Sequence, residues 1–167
     1  MNKYFILPAL FFLVLSLSAQ EEKKLPMPSD STYQANIKKS KLYGVYIPRD
    51  LDDALAQLMK LTDEEGRSKL KKTDENTVAK KLRFGLGRWM EYNWNFAEGS
   101  RFSHYLREKG LYNQDDMVRF MLITFHRHIN GKNLETDSLL KELIKQREEI
   151  VKLEREKKVI GTVPNND

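Results

Sequence analysis

The chain has 167 residues, with 29 Lys and Arg against 24 Asp and Glu, a net charge of +5 and no cysteine. Disulfides, thiolate metal sites and cysteine nucleophiles are therefore excluded, and an apolar core alone must hold any domain that forms. Charges of both signs alternate along the chain instead of gathering on one stripe, which argues against nucleic acid as a partner.

The N-terminus predicts a cleavable secretory signal over residues 1–19. Lys3 supplies the positive start, Tyr4 to Leu17 form an apolar run broken only by Pro8 and Ser16, and the small residues Ser18 and Ala19 precede Gln20-Glu21-Glu22-Lys23-Lys24. Cleavage is expected after Ala19, with Ser18 the near alternative. A membrane-spanning helix needs about 20 apolar residues, more than this run holds, so no span is expected after signal removal. Residues 1–19 carry Lys3 and no acid, so their loss takes the net charge from +5 to +4. No cysteine follows the run to take a lipid. The expected location is the periplasm or outside the cell.

Residues 20–46 read as a flexible tether. Pro26, Pro28 and the Ser29-Asp30-Ser31-Thr32 stretch accompany few large apolar side chains. Tyr33, Ile37, Leu42 and Val45 are the ones able to dock part of it.

From Ile47 onward the punctuation is helical. Asp50 can cap a helix whose Leu51, Ala54, Leu55, Leu58 and Met59 form one apolar face. Thr62-Asp63-Glu64-Glu65 reads as a capping box opening a helix toward Leu70. Thr73 can cap the next, with Val78 and Leu82 inward. Gly85 and Gly87 are expected to loosen the chain before a helical stretch from Trp89 to Trp94. Ser100 caps a helix through Lys109, ended by a left-handed Gly110. Asn113 caps another, with Asp115 and Asp116 in its first turn, ending at Asn130-Gly131. Met117, Val118, Phe120, Met121 and Phe125 cover most of its circumference, which marks it as the central helix.

A last helix starts at Thr136 or Asp137 and runs to about Lys157. Leu139, Leu143, Ile150 and Leu153 form a narrow seam along it, with Gln146 at the gap. It lies along the domain or projects from it; the other reading is a short coiled coil giving weak self-association. The fold class is all-α, a compact single-domain bundle of about six helices. The domain spans 47–132, the charged helix 133–158, and a disordered tail 159–167.

The stretch from Ile47 to about Lys132 resembles an uncharacterised family of exported bacterial domains of unknown function. The resemblance is carried by Ile47-Pro48-Arg49-Asp50-Leu51 with Ala54 and Leu55, then Gly85-Leu86-Gly87-Arg88-Trp89 and Asn93-Trp94. Gly99-Ser100-Arg101, Tyr105, Gly110-Leu111-Tyr112, Asp115-Asp116-Met117 and His126-Arg127 with Gly131 continue it. The sequence departs from the pattern at Gln114, where a proline is expected, and at Asn95-Phe96-Ala97, where a tryptophan-rich turn is expected. The resemblance implies a domain and no activity.

Three groups of residues are candidates for function. Arg101 with Asp115 and Asp116 can bind a small ion or serve as a clamp joining two helices. Among His126, Arg127 and His128, the two histidines are two apart and diverge by about 200° on a helix, so they do not form a metal pair. His128 reads as a core histidine and His126 as a surface one able to act as a base. Trp89, Tyr92, Trp94 and Phe96 with Glu91 and Glu98 suit a core, or a sugar-stacking surface at Trp94 and Phe96 with Glu98 beside it. No cofactor motif, nucleophile elbow, phosphate loop or metal site is present.

The reading that follows is a non-catalytic exported helical domain that binds a protein or an envelope component. The surface assigned to it is Trp94, Phe96, Glu98, Arg101, Asp115, Asp116, His126 and Arg127. The alternative is a hydrolase on glycan or peptide using Glu98, Asp116 or His126 as acid or base, which requires two of those groups to converge in a cleft of about 300 Å³ or more.

Overall fold

The structure is a computed structural model that describes residues 31–160. The signal reading of 1–19, the first part of the tether and residues 161–167 lie outside the described residues. The fold is a compact helical bundle with one small hairpin. Its elements run α1 (Ser31–Asn36), β1 (Lys41–Leu42), β2 (Val45–Tyr46), α2 (Leu51–Leu61), α3 (Glu64–Lys71) and α4 (Glu75–Leu82). A π-helical turn (Arg83–Gly87) leads into α5 (Arg88–Asn93), followed by α6 (Arg101–Glu108), α7 (Gln114–Ile129) and α8 (Thr136–Ile160).

Short-range capping sets most of these boundaries. Asp50 accepts the Asp53 N–H, Ser100 the Ser103 N–H and Asn113 the Asp115 N–H, each satisfying a donor that an open helix end leaves bare. At α3 and α4 the cap falls one residue later than the sequence suggested. Asp63 and Asp74 do the capping. Thr62 instead ends α2, its hydroxyl donating to the Leu58 carbonyl at 2.7 Å. Gly85 and Gly87 do not loosen the chain, because the π-helical turn carries it from α4 into α5.

The core forms around α7, ten of whose side chains are buried. It packs against α4, the π-helical turn, α8, α5, α3 and α2. Gly87 permits the approach of the π-helical turn, since a Cβ there would stand 2.7 Å from the Val118 Cγ1. Leu139, Leu140 and Leu143 bury the first half of α8, while Ile150 and Leu153 stay exposed on its second half. The helix reaches Ile160, three residues past the expected end and into the stretch read as tail. No helix among the described residues is long and apolar enough to cross a membrane.

Residues 31–46, read above as tether, are part of the packed body. Tyr33 is buried under the α5–α6 loop, and its hydroxyl lies 2.9 Å from the His104 Nδ1. Gly99 makes this docking possible. It adopts φ +100°, and a Cβ there would sit 2.1 Å from the Tyr33 ring. One aromatic side chain meeting one side-chain-free position fixes α1, and Leu42 in the core holds the hairpin, contacts that tether-like composition conceals.

Candidate functional site

A second aromatic cluster fills the space between α5 and α6. Trp94 is central, with ring centroids at 5.3 Å from Phe102, 5.9 Å from Trp89 and 6.4 Å from Phe96. Trp94 and Phe96 are 1% and 0% exposed. The expected contact surface at these two residues is therefore corrected: they are core. The chain passes Asn93 and turns back through Asn95 at φ 51° and Gly99, so both side chains are folded inward beneath the loop.

Arg101, Asp115, Asp116 and Arg127 also go to structural work. Arg101 does not meet Asp115 or Asp116. Its Nε and Nη2 donate to the Ile47 carbonyl at 2.8 and 2.5 Å, and its guanidinium lies 5.1 Å from the centre of the Tyr46 ring. It fastens α6 to the hairpin. Asp115 pairs with Arg83. Asp116 takes a two-pronged bond from Arg147 at 2.7 and 2.9 Å, which ties α8 to the start of α7. Arg127 makes the same kind of pair with Glu75, at 2.9 Å on both oxygens, and donates to the Leu134 carbonyl.

The two histidines exchange the places expected of them. His126 is buried at 3% exposure and His128 is exposed. The His126 Nε2 lies 3.2 Å from the Asn130 amide nitrogen, and its Nδ1 is buried with no hydrogen-bond partner among the described residues. Glu98 is exposed and accepts a 3.3 Å bond from the Tyr43 hydroxyl. Glu98 borders the second groove described below, whereas Asp116 is held by Arg147 and His126 is buried.

Two concavities stand out among the described residues. One, of about 890 Å³, lies where α2 and α8 begin. It is widely open and bordered by Asp50, Asp52, Glu135 and Asp137, acids at or beside helix starts where they favour the dipole. No group of three or more His, Asp or Glu among the described residues could hold a metal ion. The other, of about 830 Å³, runs between the hairpin, the π-helical turn, α5 and its following loop. Volumes of this order suit ligand sites.

The second groove has the features of a contact surface. Three large aromatic side chains stand at its border, Tyr43 at 85%, Phe84 at 81% and Tyr92 at 83% exposed. Each comes from a different element. Tyr43 and Gly44 form the two-residue turn of the hairpin, since Leu42 pairs with Val45, and both have positive φ, 50° and 81°. Such a turn favours Asn, Asp or Gly at its first central position. A bulky tyrosine there costs about 1–2 kcal/mol of backbone strain. Phe84 sits on the π-helical turn, a geometry that inserts one extra residue into the helical register. Tyr92 is on α5, two residues before buried Trp94.

Charge in the groove is nearly balanced. Arg83 bonds to Glu91 at 3.1 Å and to Asp115, and although its burial opposes charge, these two carboxylates hold its pKa above the ordinary arginine value. Arg88 is exposed with no ion pair among the described residues, and Glu98 is its acidic counterpart on the loop. Elsewhere, the hydrogen bond from Arg127 holds the Glu75 carboxyl below its usual range. At Asp53 burial pushes upward, but bonds from the Tyr46 hydroxyl and the Arg49 amide outweigh it and the pKa is lowered.

Sequence reasoning grouped Tyr92, Glu91 and Glu98, which border this groove, but put the contact surface on Trp94 and Phe96 and did not reach Tyr43 or Phe84. One signal was present: Leu42-Tyr43-Gly44-Val45 places a glycine-containing two-residue turn between apolar residues, a hairpin pattern. Phe84 carried none, and Tyr92 was grouped with residues read as core, because nothing local distinguishes an outward ring from an inward one on a short helix.

No curated protein and no solved structure matches the chain. Residues 47–129 match the family model described as a domain of unknown function, DUF6794. The match covers α2 to α7 and the borders of the groove contributed by the π-helical turn and α5. Residues 47–129 thus belong to this uncharacterised family of domains.

Proposed function

We propose that the protein is an exported, non-catalytic binding module whose contact surface is the aromatic-bordered groove, and that its partner is a component of the cell envelope. One observation carries this reading: three large rings, each more than 80% exposed, gather around a single groove while the rest of the aromatic side chains nearby are packed. Isolated exposed apolar residues need no explanation, but a cluster bordering a concavity does. Tyr43 strengthens the argument, because a strained backbone position is kept for a side chain that contributes little to packing. Export is supported by the order of charged, apolar and small residues over 1–19. The partner surface passes from Trp94, Phe96 and Arg101 to Tyr43, Phe84, Tyr92, Arg88 and Glu98.

The test is retention of envelope material on the immobilised protein beside a Tyr43→Ala, Phe84→Ala, Tyr92→Ala triple variant. The expected result is a defined component held by the native protein and lost by the variant, with unchanged circular dichroism. Equal retention by both proteins would remove the groove from any binding role.

A further inference from the structure

We infer that the groove takes a neutral, hydroxyl-rich glycan strand of β-linked pyranose units; this rests on the binding-module reading and names its ligand. Such a strand is a flat ribbon with apolar C–H faces and hydroxyl edges. It needs open rings to stack on and planar polar groups spaced between them. Tyr43, Phe84 and Tyr92 offer the rings, and among the described residues none of the three stacks on another aromatic side chain. They remain available on their faces, and two carry a hydroxyl that can bond at the ring's edge.

The polar groups between them fit the same ligand. Asn93 and Asn95 each use the side-chain N–H₂ internally, donating to the Trp89 and Gly99 carbonyls at 2.9 and 3.2 Å. That fixes the amide planes; half-buried Asn93 keeps its amide oxygen as an acceptor for ligand hydroxyls, while Asn95 is buried and shapes the groove wall. Glu98 adds a further acceptor and Arg88 a fan of donors. Their opposite signs, with Arg83 already matched by Glu91 and Asp115, give the groove no strong net charge. A polyanion would find one free guanidinium only.

A folded protein partner fits less well. Protein hot spots are side chains sunk into desolvated, close-packed pockets. Here the rings project into solvent around an open channel bordered by amides and charges, which suits a ligand that stays partly hydrated.

The test is a two-dimensional amide NMR titration of the protein with β-linked N-acetylglucosamine tetrasaccharide, and separately with the corresponding glucose tetrasaccharide. The expected result is saturable shifts confined to residues 42–45, 84–98 and Gln114 with at least one of the two sugars. Phe84→Ala and Tyr92→Ala should each weaken that binding by about tenfold or more. Leu153→Ala, on the exposed part of α8, should leave it unchanged. Absence of shifts up to millimolar sugar, shifts mapping elsewhere, or equal affinity in the ring variants would overturn the glycan assignment. If the glycan fails while the triple variant still loses its envelope component, the ligand is of another class and the binding reading stands. If the variant also retains that component, both fall.

Discussion

Trp94 and Tyr92 are two residues apart, yet one is the centre of a buried aromatic cluster and the other is 83% exposed. The same contrast divides the whole region. Trp94, Phe96 and Phe102 pack edge and face against one another beneath the α5–α6 loop, whereas Tyr43, Phe84 and Tyr92 stand around the groove and, among the described residues, stack on no other ring. Residue type is shared, so only the backbone path separates the two sets. A loop that turns back through Asn95 and Gly99 encloses one, and a hairpin tip and a π-helical turn hold out the other. The lesson is that apolar area is used twice here, once to stabilise the fold and once to leave a surface uncovered.

The contrast is broken most forcefully from the core side. Trp94→Ala or Phe96→Ala should cost about 3–5 kcal/mol, read as a lowered urea midpoint, because each empties a fully enclosed volume. A loss under about 1 kcal/mol would mean that the cluster is not closed. Next is Gly99→Ala, expected to cost about 2–4 kcal/mol, since the new methyl meets both an unfavourable φ and the Tyr33 ring. Hydrogen exchange should then rise selectively in residues 31–36. Uniform exchange across the domain would contradict local undocking.

Ion pairs give smaller effects. Glu75 has its folded-state pKa depressed by Arg127. Its contribution is therefore present above the unfolded value, about pH 4.3, and is lost as pH falls through the lower folded value. Glu75→Gln should cost about 1 kcal/mol at neutral pH, allowing for solvent screening of a carboxylate that is 31% exposed. Its unfolding curves should also respond less to acid between neutrality and the folded pKa. Parallel pH profiles for the two proteins would show that the pair contributes nothing. Smaller still, and opposite in sign, Tyr43→Asn should stabilise the protein by about 0.5–1 kcal/mol by relieving the turn, while weakening partner retention. A destabilised Tyr43→Asn protein would assign the tyrosine to the fold.

Much of the framework was legible because its causes are short in range. Asp50, Ser100 and Asn113 satisfy N–H groups two or three residues away, so their roles follow from local chemistry. The apolar circumference of α7 likewise identified the central helix. What was not legible depends on distant partners. Arg101 bonds to the backbone carbonyl of Ile47, an acceptor that charge patterning does not reveal. His126 and His128 differ by a rotation on a helix buried nearly all round, where a narrow polar stripe is a poor guide to direction. Residues 31–46 looked like linker because a few contacts distant in sequence fix them, Tyr33 against Gly99, Leu42 in the core and Arg101 over the Tyr46 ring. The groove is further out of reach, since the hairpin that supplies Tyr43 lies some forty residues before the π-helical turn and α5 that supply Phe84 and Tyr92.

The central claim is that Tyr43, Phe84 and Tyr92 are surplus to the stability of the fold and so remain free to contact a partner. Urea unfolding of the protein carrying alanine at all three positions tests it directly. The account predicts an unfolding free energy within about 0.5 kcal/mol of the native protein for each position changed. A loss of several kcal/mol would place these rings among the packing that holds the domain together and contradict it.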